Sequence, residues 1–502
     1  MTISAPDSTD DIQALAKGGR TNVFGFLLRL AARIPFLFIA GRLYGAEALG
    51  RFAYAILVVE FVAQIATMGL RRGLAETLSR EEKPPQHVVA DALLIGITAS
   101  LIGGALLIAV PQVMFPNSGI NGLDRLLPLI IAPIVITEIA LAALAYRFDI
   151  ASTVRARAIV EPWTISIAAW ALFYYSARDG LILSYVVSMA AAMVAALWPL
   201  WRSYGMPHGW RPSPAELIKI ARRNLPLAAA DAIEWGSRRL DLAILGLFAS
   251  PAIVGIYYVA QQVASLPQKL KTSFDPILGP VITRNLKDKN YAAIARQVGQ
   301  VGFWIIAAQA GIALALGIPG EAVMGLVGPE FVGGTAALAF LLAAEVAAAT
   351  AVVSEAALIY IARHRNMLIS LGMLGLQAAL SVALIFAADY LPVRESMEGL
   401  LKAAAVACAL MLALGVSSLV KSILLSQLLK APISILRWPL FAAIAVATLL
   451  GIGATYLPEW AELILGIPII LGAYSWIIWT KGFGEDDRIL FRKNKSEAKP
   501  EV

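Results

Sequence analysis

Arg29 and Arg33 stand four residues apart in an apolar stretch, so on a helix they share one face. Later in the chain Asp231, Glu234, Arg238 and Asp241 follow at helical spacing and draw one polar stripe, with Arg239 beside it. A charge at mid-bilayer costs at least about 2.5–3.5 kcal/mol, so such residues are expected to face a cavity or a partner. Two arrangements satisfy that demand. One is a cationic, water-filled cavity that receives an anion, with the acids tuning it. The other is an ion-pair stitch, Arg238 with Asp231, Glu234 or Asp241, that holds helices together. Lone carboxylates also fall in apolar segments: Glu60, Glu138, Glu345 and Glu355. Each can relay protons or sit hydrogen-bonded, and Glu60 and Glu138 are the better ion-coupling candidates with Asp231, Glu234 and Asp241. No catalytic constellation is present. His87, His208 and His364 lie apart in polar loops, and Cys408 sits in an apolar segment, so neither a metal nor another cofactor is expected.

The elements that carry these residues must be membrane helices. The chain has 502 residues, 59% hydrophobic and only 15% charged, against about 25% charged in soluble domains. Apolar runs long enough to cross a bilayer recur to the end. We expect about fourteen, at 21–43, 50–70, 89–114, 126–146, 159–177, 181–201, 224–248, 252–275, 297–317, 336–361, 366–388, 399–420, 434–456 and 461–480. No ten-residue segments alternate with period two, which disfavours an outer-membrane barrel. The fold class expected is therefore an all-α polytopic membrane protein. Residues 1–20 read as a retained cytoplasmic tail, because no basic region precedes an apolar core there.

The basic residues orient the chain. With the N-terminus inside, the inside loops hold clusters such as Arg71, Arg72, Arg80 and Lys83, or Arg147, Arg155 and Arg157. Lys421 and Arg437 belong to the same side. The outside loops keep Arg42, Arg51, Arg125, Arg178, Arg394 and Lys402. Positive loops mark the cytoplasm, so both termini are expected there, in a bacterial inner membrane. The net charge of +7 is thus a topology signal and calls for no nucleic-acid partner.

An internal repeat organises the segments. GRLYGAEALGRFAYA at 41–55 aligns without a gap on GLFASPAIVGIYYVA at 246–260, an offset of 205 (246 minus 41). Gly41 meets Gly246, Gly50 meets Gly255, and Arg33 meets Arg238. Both copies start on the cytoplasmic side, so the repeat is parallel, a standard transporter plan. It predicts six-helix bundles at 21–215 and 216–425, two appended helices at 426–480 and a basic cytoplasmic tail at 481–502.

The hairpin LYGAEALGRFAYAILVVEFVAQIATMGLRRGLAETLSR, 43–80, resembles the opening of polysaccharide-biosynthesis flippases. These are the Wzx-type exporters of the multidrug/oligosaccharidyl-lipid/polysaccharide superfamily. LDLAILGLFASPAIVGIYYVAQQVASLP, 240–267, with Phe274, Pro276 and Pro280 after it, looks like the start of that family's second half. The resemblance implies a flippase that moves an undecaprenyl-diphosphate-linked oligosaccharide outward for O-antigen or exopolysaccharide assembly. It implies a lumen lined by basic residues, which here would be Arg29, Arg33, Arg238 and Arg239. The partners implied are the lipid-linked oligosaccharide, membrane lipids and a polymerase or glycan-assembly complex. The physics suits such a cargo, since a diphosphate is anionic and arginine presents a planar fork of donors to it.

Two rivals follow from the same residues. A drug or cation antiporter of the superfamily would want a carboxylate in the middle of the first helix, where this chain has arginines. An integral-membrane glycosyltransferase, polymerase or ligase would want a sizeable outside loop with catalytic residues. The longest one expected, near 318–335, has only Glu321 and Glu330 as charges. We therefore read a transporter and not an enzyme.

Overall fold

The computed structural model describes residues 34–272, 290–392, 394–433 and 435–484, together with 282, 284–286, 288, 487 and 488. Arg29 and Arg33 lie outside the described residues. Among those described there is no strand, and each expected apolar segment coincides with helix. The protein is an all-α polytopic membrane protein. Nine helical runs among the described residues are long and apolar enough to cross a membrane. Among the other expected spans, 224–248 is divided by a turn at Arg238 and Arg239, and Trp438–Ala454 is a shorter apolar helix.

The first hairpin runs through α1 (34–44) into α2 (Gly45–Ala66). The chain reverses at Gly45, whose φ of 80° suits a residue without Cβ. The reversal brings the Phe36 ring to 5.6 Å from Phe52, far closer than sixteen residues of straight helix would allow. A second reversal at Met68 and Gly69, both with positive φ, starts the amphipathic α3 (Leu70–Ser79). Then come α4 (Pro85–Ala109), opened by proline in its first turn, and α5 (Asp124–Tyr146). Helix α6 (150–173) contains a wide π turn at Arg155–Val160, and α7 (Gly180–Tyr204) packs along it.

The seventh apolar segment is broken. Helix α8 (Pro214–Ser237) stops and α9 (Leu240–Phe248) starts anew, with Arg238 and Arg239 in the turn between them. The expected polar stripe is therefore split, and Asp241 belongs to the second half-helix. Helix α10 (Pro251–Thr272) follows. Downstream are α11 (Tyr291–Gly317), α12 (Gly320–Val327), α13 (Thr335–Ile361), α14 (Arg363–Asp389), α15 (Glu395–Leu429), α16 (Trp438–Ala454) and α17 (Glu459–Gly482).

Two compact units result. One holds 34–259 with 394–403, so α8, α9 and the start of α10 pack with α1–α7. The reason is visible at Gly69 and Gly73: a Cβ on Gly69 would lie 2.6 Å from the Asn224 carbonyl oxygen, and one on Gly73 would overlap the Asn224 amide. Absent side chains let α8 lie directly on the α2–α3 corner. The other unit holds the described residues of 260–392 and 404–488. Its core lies around α11, where Phe303, Ile306 and Ala310 pack with residues of α13, α16 and α17. Tyr474 fixes α17 there by donating to the Ala307 carbonyl at 2.8 Å.

Candidate functional site

The charged residues expected from the sequence meet around the α8–α9 break and the helices beside it. Asp231 is buried on α8, with its carboxylate 2.8 Å from Nε of Arg72 and 3.6 Å from Arg71. Glu234, one turn on, is bidentate between two arginines. Its Oε2 accepts from Arg72 at 2.7 Å and its Oε1 from Arg238 at 3.1 Å. These are the buried and exposed faces of one clasp between α3 and α8, to which Arg223 and Glu76 add a further pair.

Arg239 turns the other way. Its guanidinium lies over the Trp235 ring, 4.2 Å from the centroid, and 3.5 Å from Oε2 of Glu60 on α2. Glu60 Oε1 accepts the Tyr185 hydroxyl of α7 at 2.7 Å. Among the described residues the Arg239 guanidinium makes no hydrogen bond; the 3.5 Å ion pair with Glu60 and the Trp235 stack hold it, and it keeps 38% exposure. Arg51, Arg72 and Arg157, by contrast, are hydrogen-bonded to carboxylates.

Glu138 is drawn to a different partner. It pairs with Arg157, which also donates to Glu161 at 2.7 Å. The π turn at Arg155–Val160 places Arg157 there, and wide turns of this kind often mark functional positions. Asp241 is buried at the start of α9 and accepts the Tyr257 hydroxyl at 2.7 Å. Position 241 is the repeat partner of 36, and 257 that of 52, so this hydrogen bond stands where the first copy has the Phe36–Phe52 contact.

Thus the structure brings Asp231 and Glu234 together through Arg72, joins Arg238 to them through Glu234, and sets Arg239 against Glu60, with Trp235 and Tyr185 beside them. It holds Glu138 with Arg157 and leaves Asp241 in a separate pair. The sequence counted Arg157 and Lys421 as inside-loop charges. Arg157 is instead held inside a helix, and Lys421 is buried, bonded to Glu355 and Ser370 at 3.0 Å. The i,i+4 spacing of Arg157 and Glu161 next to an apolar run was the available signal for the first. Nothing local marks Arg72 or Tyr185, because Glu234 and Glu60 are distant in the chain, whereas Trp235 stands four residues before Arg239, a spacing the sequence showed. No cluster of His, Cys, Asp or Glu able to hold a metal is found among the described residues.

The family of polysaccharide biosynthesis proteins matches residues 39–310, more than half of the chain. This protein belongs to that family. The match covers the hairpin and the second-half motif that resemble it, together with the α8–α9 break. No curated protein sequence is matched. Solved structures agree on the fold. The lipid II flippase MurJ, in an inward closed conformation, superposes with a TM-score of 0.66 at 13% identity, covering 91% of this chain and 99% of that one. An inward-facing multidrug resistance MATE family transporter of the MOP superfamily gives 0.60 at 15% identity, covering 86% and 97%. A MOP superfamily transporter from Pyrococcus furiosus, described as having reversed polarity in its binding pocket, gives 0.52 at 14%, covering 84% and 97%. This family member therefore shares the fold of these structures.

Proposed function

We propose that this protein flips an undecaprenyl-diphosphate-linked oligosaccharide from the cytoplasmic to the outer leaflet of a bacterial inner membrane. It works by alternating access through a cationic central cavity. Arg239 carries the reading. A half-exposed guanidinium sits at a helix break inside an apolar segment, stacked and oriented yet not hydrogen-bonded. Broken helices with polar backbone ends are where such transporters hold their cargo. A diphosphate fits the fork of donors that Arg239 offers, with Arg238 beside it and Arg29 and Arg33 completing the set. The family's polysaccharide role and a lipid II flippase among the structural neighbours favour a lipid-linked saccharide. An inside-negative potential also favours outward movement of an anion, by about 2.3 kcal/mol per charge per 100 mV.

The test is membrane abundance and glycan export for Arg239→Ala, Arg238→Ala and Arg33→Ala, with Arg→Lys at each position. Export should fall with abundance retained, and lysine should rescue it only in part. Normal export from a normally abundant Arg238→Ala, Arg239→Ala double mutant rules the reading out.

A cation antiporter is the second reading, favoured by Glu60, Glu138 and Glu161 within one unit. Proton-driven movement of a cationic dye by the protein in liposomes, with no lipid-linked glycan present, would favour it.

A further inference from the structure

Glu60 and Glu234 are built alike. Each gives one carboxylate oxygen to an arginine at the helix break and the other to a fixed donor. Glu234 holds Arg238 with Oε1 and Arg72 with Oε2. Glu60 holds Arg239 with Oε2 and Tyr185 with Oε1. In each case the glutamate stays hydrogen-bonded if the arginine departs. The two bonds of Glu60 are also unequal. Tyr185 is at 2.7 Å, a full hydrogen bond, whereas Arg239 is at 3.5 Å, an ion pair without one.

We propose that Glu60 is an internal stand-in for the anionic group of the cargo. It neutralises Arg239 when no cargo is bound, yields it to an organic diphosphate, and retakes it as the diphosphate leaves. Tyr185 is the positioning residue that keeps Glu60 in place through the exchange, and Trp235 keeps the guanidinium in plane. Glu234 and Arg72 serve Arg238 in the same way. This rests on Arg239 being a phosphate-holding group.

The physical reason is continuity of charge. A bare guanidinium in a partly desolvated site is costly, so Arg239 needs an anion at every stage. A tight carboxylate would exclude the cargo, and none at all would trap it. A loosely held carboxylate, tethered by a second donor, permits both entry and release. A diphosphate competes because its oxygens meet the guanidinium fork in parallel hydrogen bonds, which Glu60 does not.

The full-length protein in detergent, titrated with farnesyl diphosphate as the probe, tests this directly. Arg239→Ala should weaken binding tenfold or more. Glu60→Gln keeps a hydrogen-bond acceptor for Tyr185 but removes the competing charge, so binding should tighten about fivefold while glycan export slows. Tyr185→Phe leaves Glu60 charged with only Arg239 to hold, so binding should weaken several-fold. A merely structural role for Glu60 would weaken binding in both conservative variants. Glu60→Gln should also have no effect in an Arg239→Ala background. If Arg239→Ala weakens binding but Glu60→Gln leaves it unchanged or weaker, the exchange is wrong and the phosphate reading survives. If Arg239→Ala binds the probe normally, the phosphate reading fails and the exchange with it.

Discussion

Gly50 and Gly255 meet backbone to backbone where α2 crosses α10. A Cβ on Gly50 would lie 2.7 Å from the Gly255 nitrogen and overlap the Pro251 carbonyl oxygen. A Cβ on Gly255 would lie 2.9 Å from the Gly50 nitrogen and overlap the Ala46 carbonyl oxygen. The contacts exchange places under the repeat, 46 with 251 and 50 with 255. Reciprocal contact of this kind is what a local two-fold relation produces. Backbone atoms cannot move aside as side chains do. Gly50→Ala and Gly255→Ala should therefore each cost at least the about 1–3 kcal/mol typical of overpacking. Gly372→Ala on α14, with nothing near its Cβ, should be neutral or slightly stabilising. Thermal unfolding in detergent distinguishes them, and equal losses at all three positions would deny the crossing its role.

Asn117 ties the α4–α5 loop to the end of α9. Its Nδ2 donates to the carbonyls of Gly246 at 2.9 Å and Ala249 at 3.0 Å. The loop's other anchor is Asp124, buried and bonded to Arg51 at 2.9 Å. Asn117→Ala should cost about 1–2 kcal/mol for two hydrogen bonds. Asn117→Asp should cost more, because a carboxylate would face two carbonyl oxygens. Hydrogen exchange should then rise at 110–124 and 245–250 together; a rise confined to the loop would refute the tie.

Asp487 should make the second unit sensitive to acid. Burial pushes its carboxyl up, but Arg437, the Gly484 amide and Trp304 outweigh that and hold it below the usual carboxylate range. The depressed value means that its stabilisation is complete above the unfolded value of about 3.9 and is lost as pH falls through the folded value. Stability measured from pH 6 to 3 should fall less steeply for Asp487→Asn, which should already be destabilised at pH 7. The same slope in both proteins would remove Asp487 from the acid response.

Arg157 between Glu138 and Glu161 should behave as a pair broken at cost and removed cheaply. Arg157→Met alone should lower abundance, by up to about 3–5 kcal/mol of stability if the site excludes water. Arg157→Met combined with Glu138→Gln and Glu161→Gln should restore much of it. Failure of the triple variant to recover abundance would mean that Arg157 packs rather than pairs.

Topology remains a proposal with a direct check. Reporters fused at Gly333 and Val502 should lie outside and inside respectively. Both on one side would break the alternation of basic loops.

The sequence by itself determined the solvent of the fold. Apolar runs near bilayer length leave helices as the way to satisfy the backbone, so segment positions and the all-α class were legible. The 205-residue offset lies in the sequence itself, with Gly50 and Gly255 at paired positions. What only the tertiary structure decided was which charges meet. Helical spacing grouped Asp231, Glu234, Arg238 and Asp241 as one stripe, but the break at Arg238 and Arg239 divides it. Arg72 and Tyr185 gave no local signal, because an ion pair or hydrogen bond between segments depends on how helices cross. Arg157 and Lys421 were placed with the loops because charge marks the membrane edge on average. A carboxylate on a neighbouring helix overrides that average by neutralising the charge in place, and the partner is fixed only when the chain has packed.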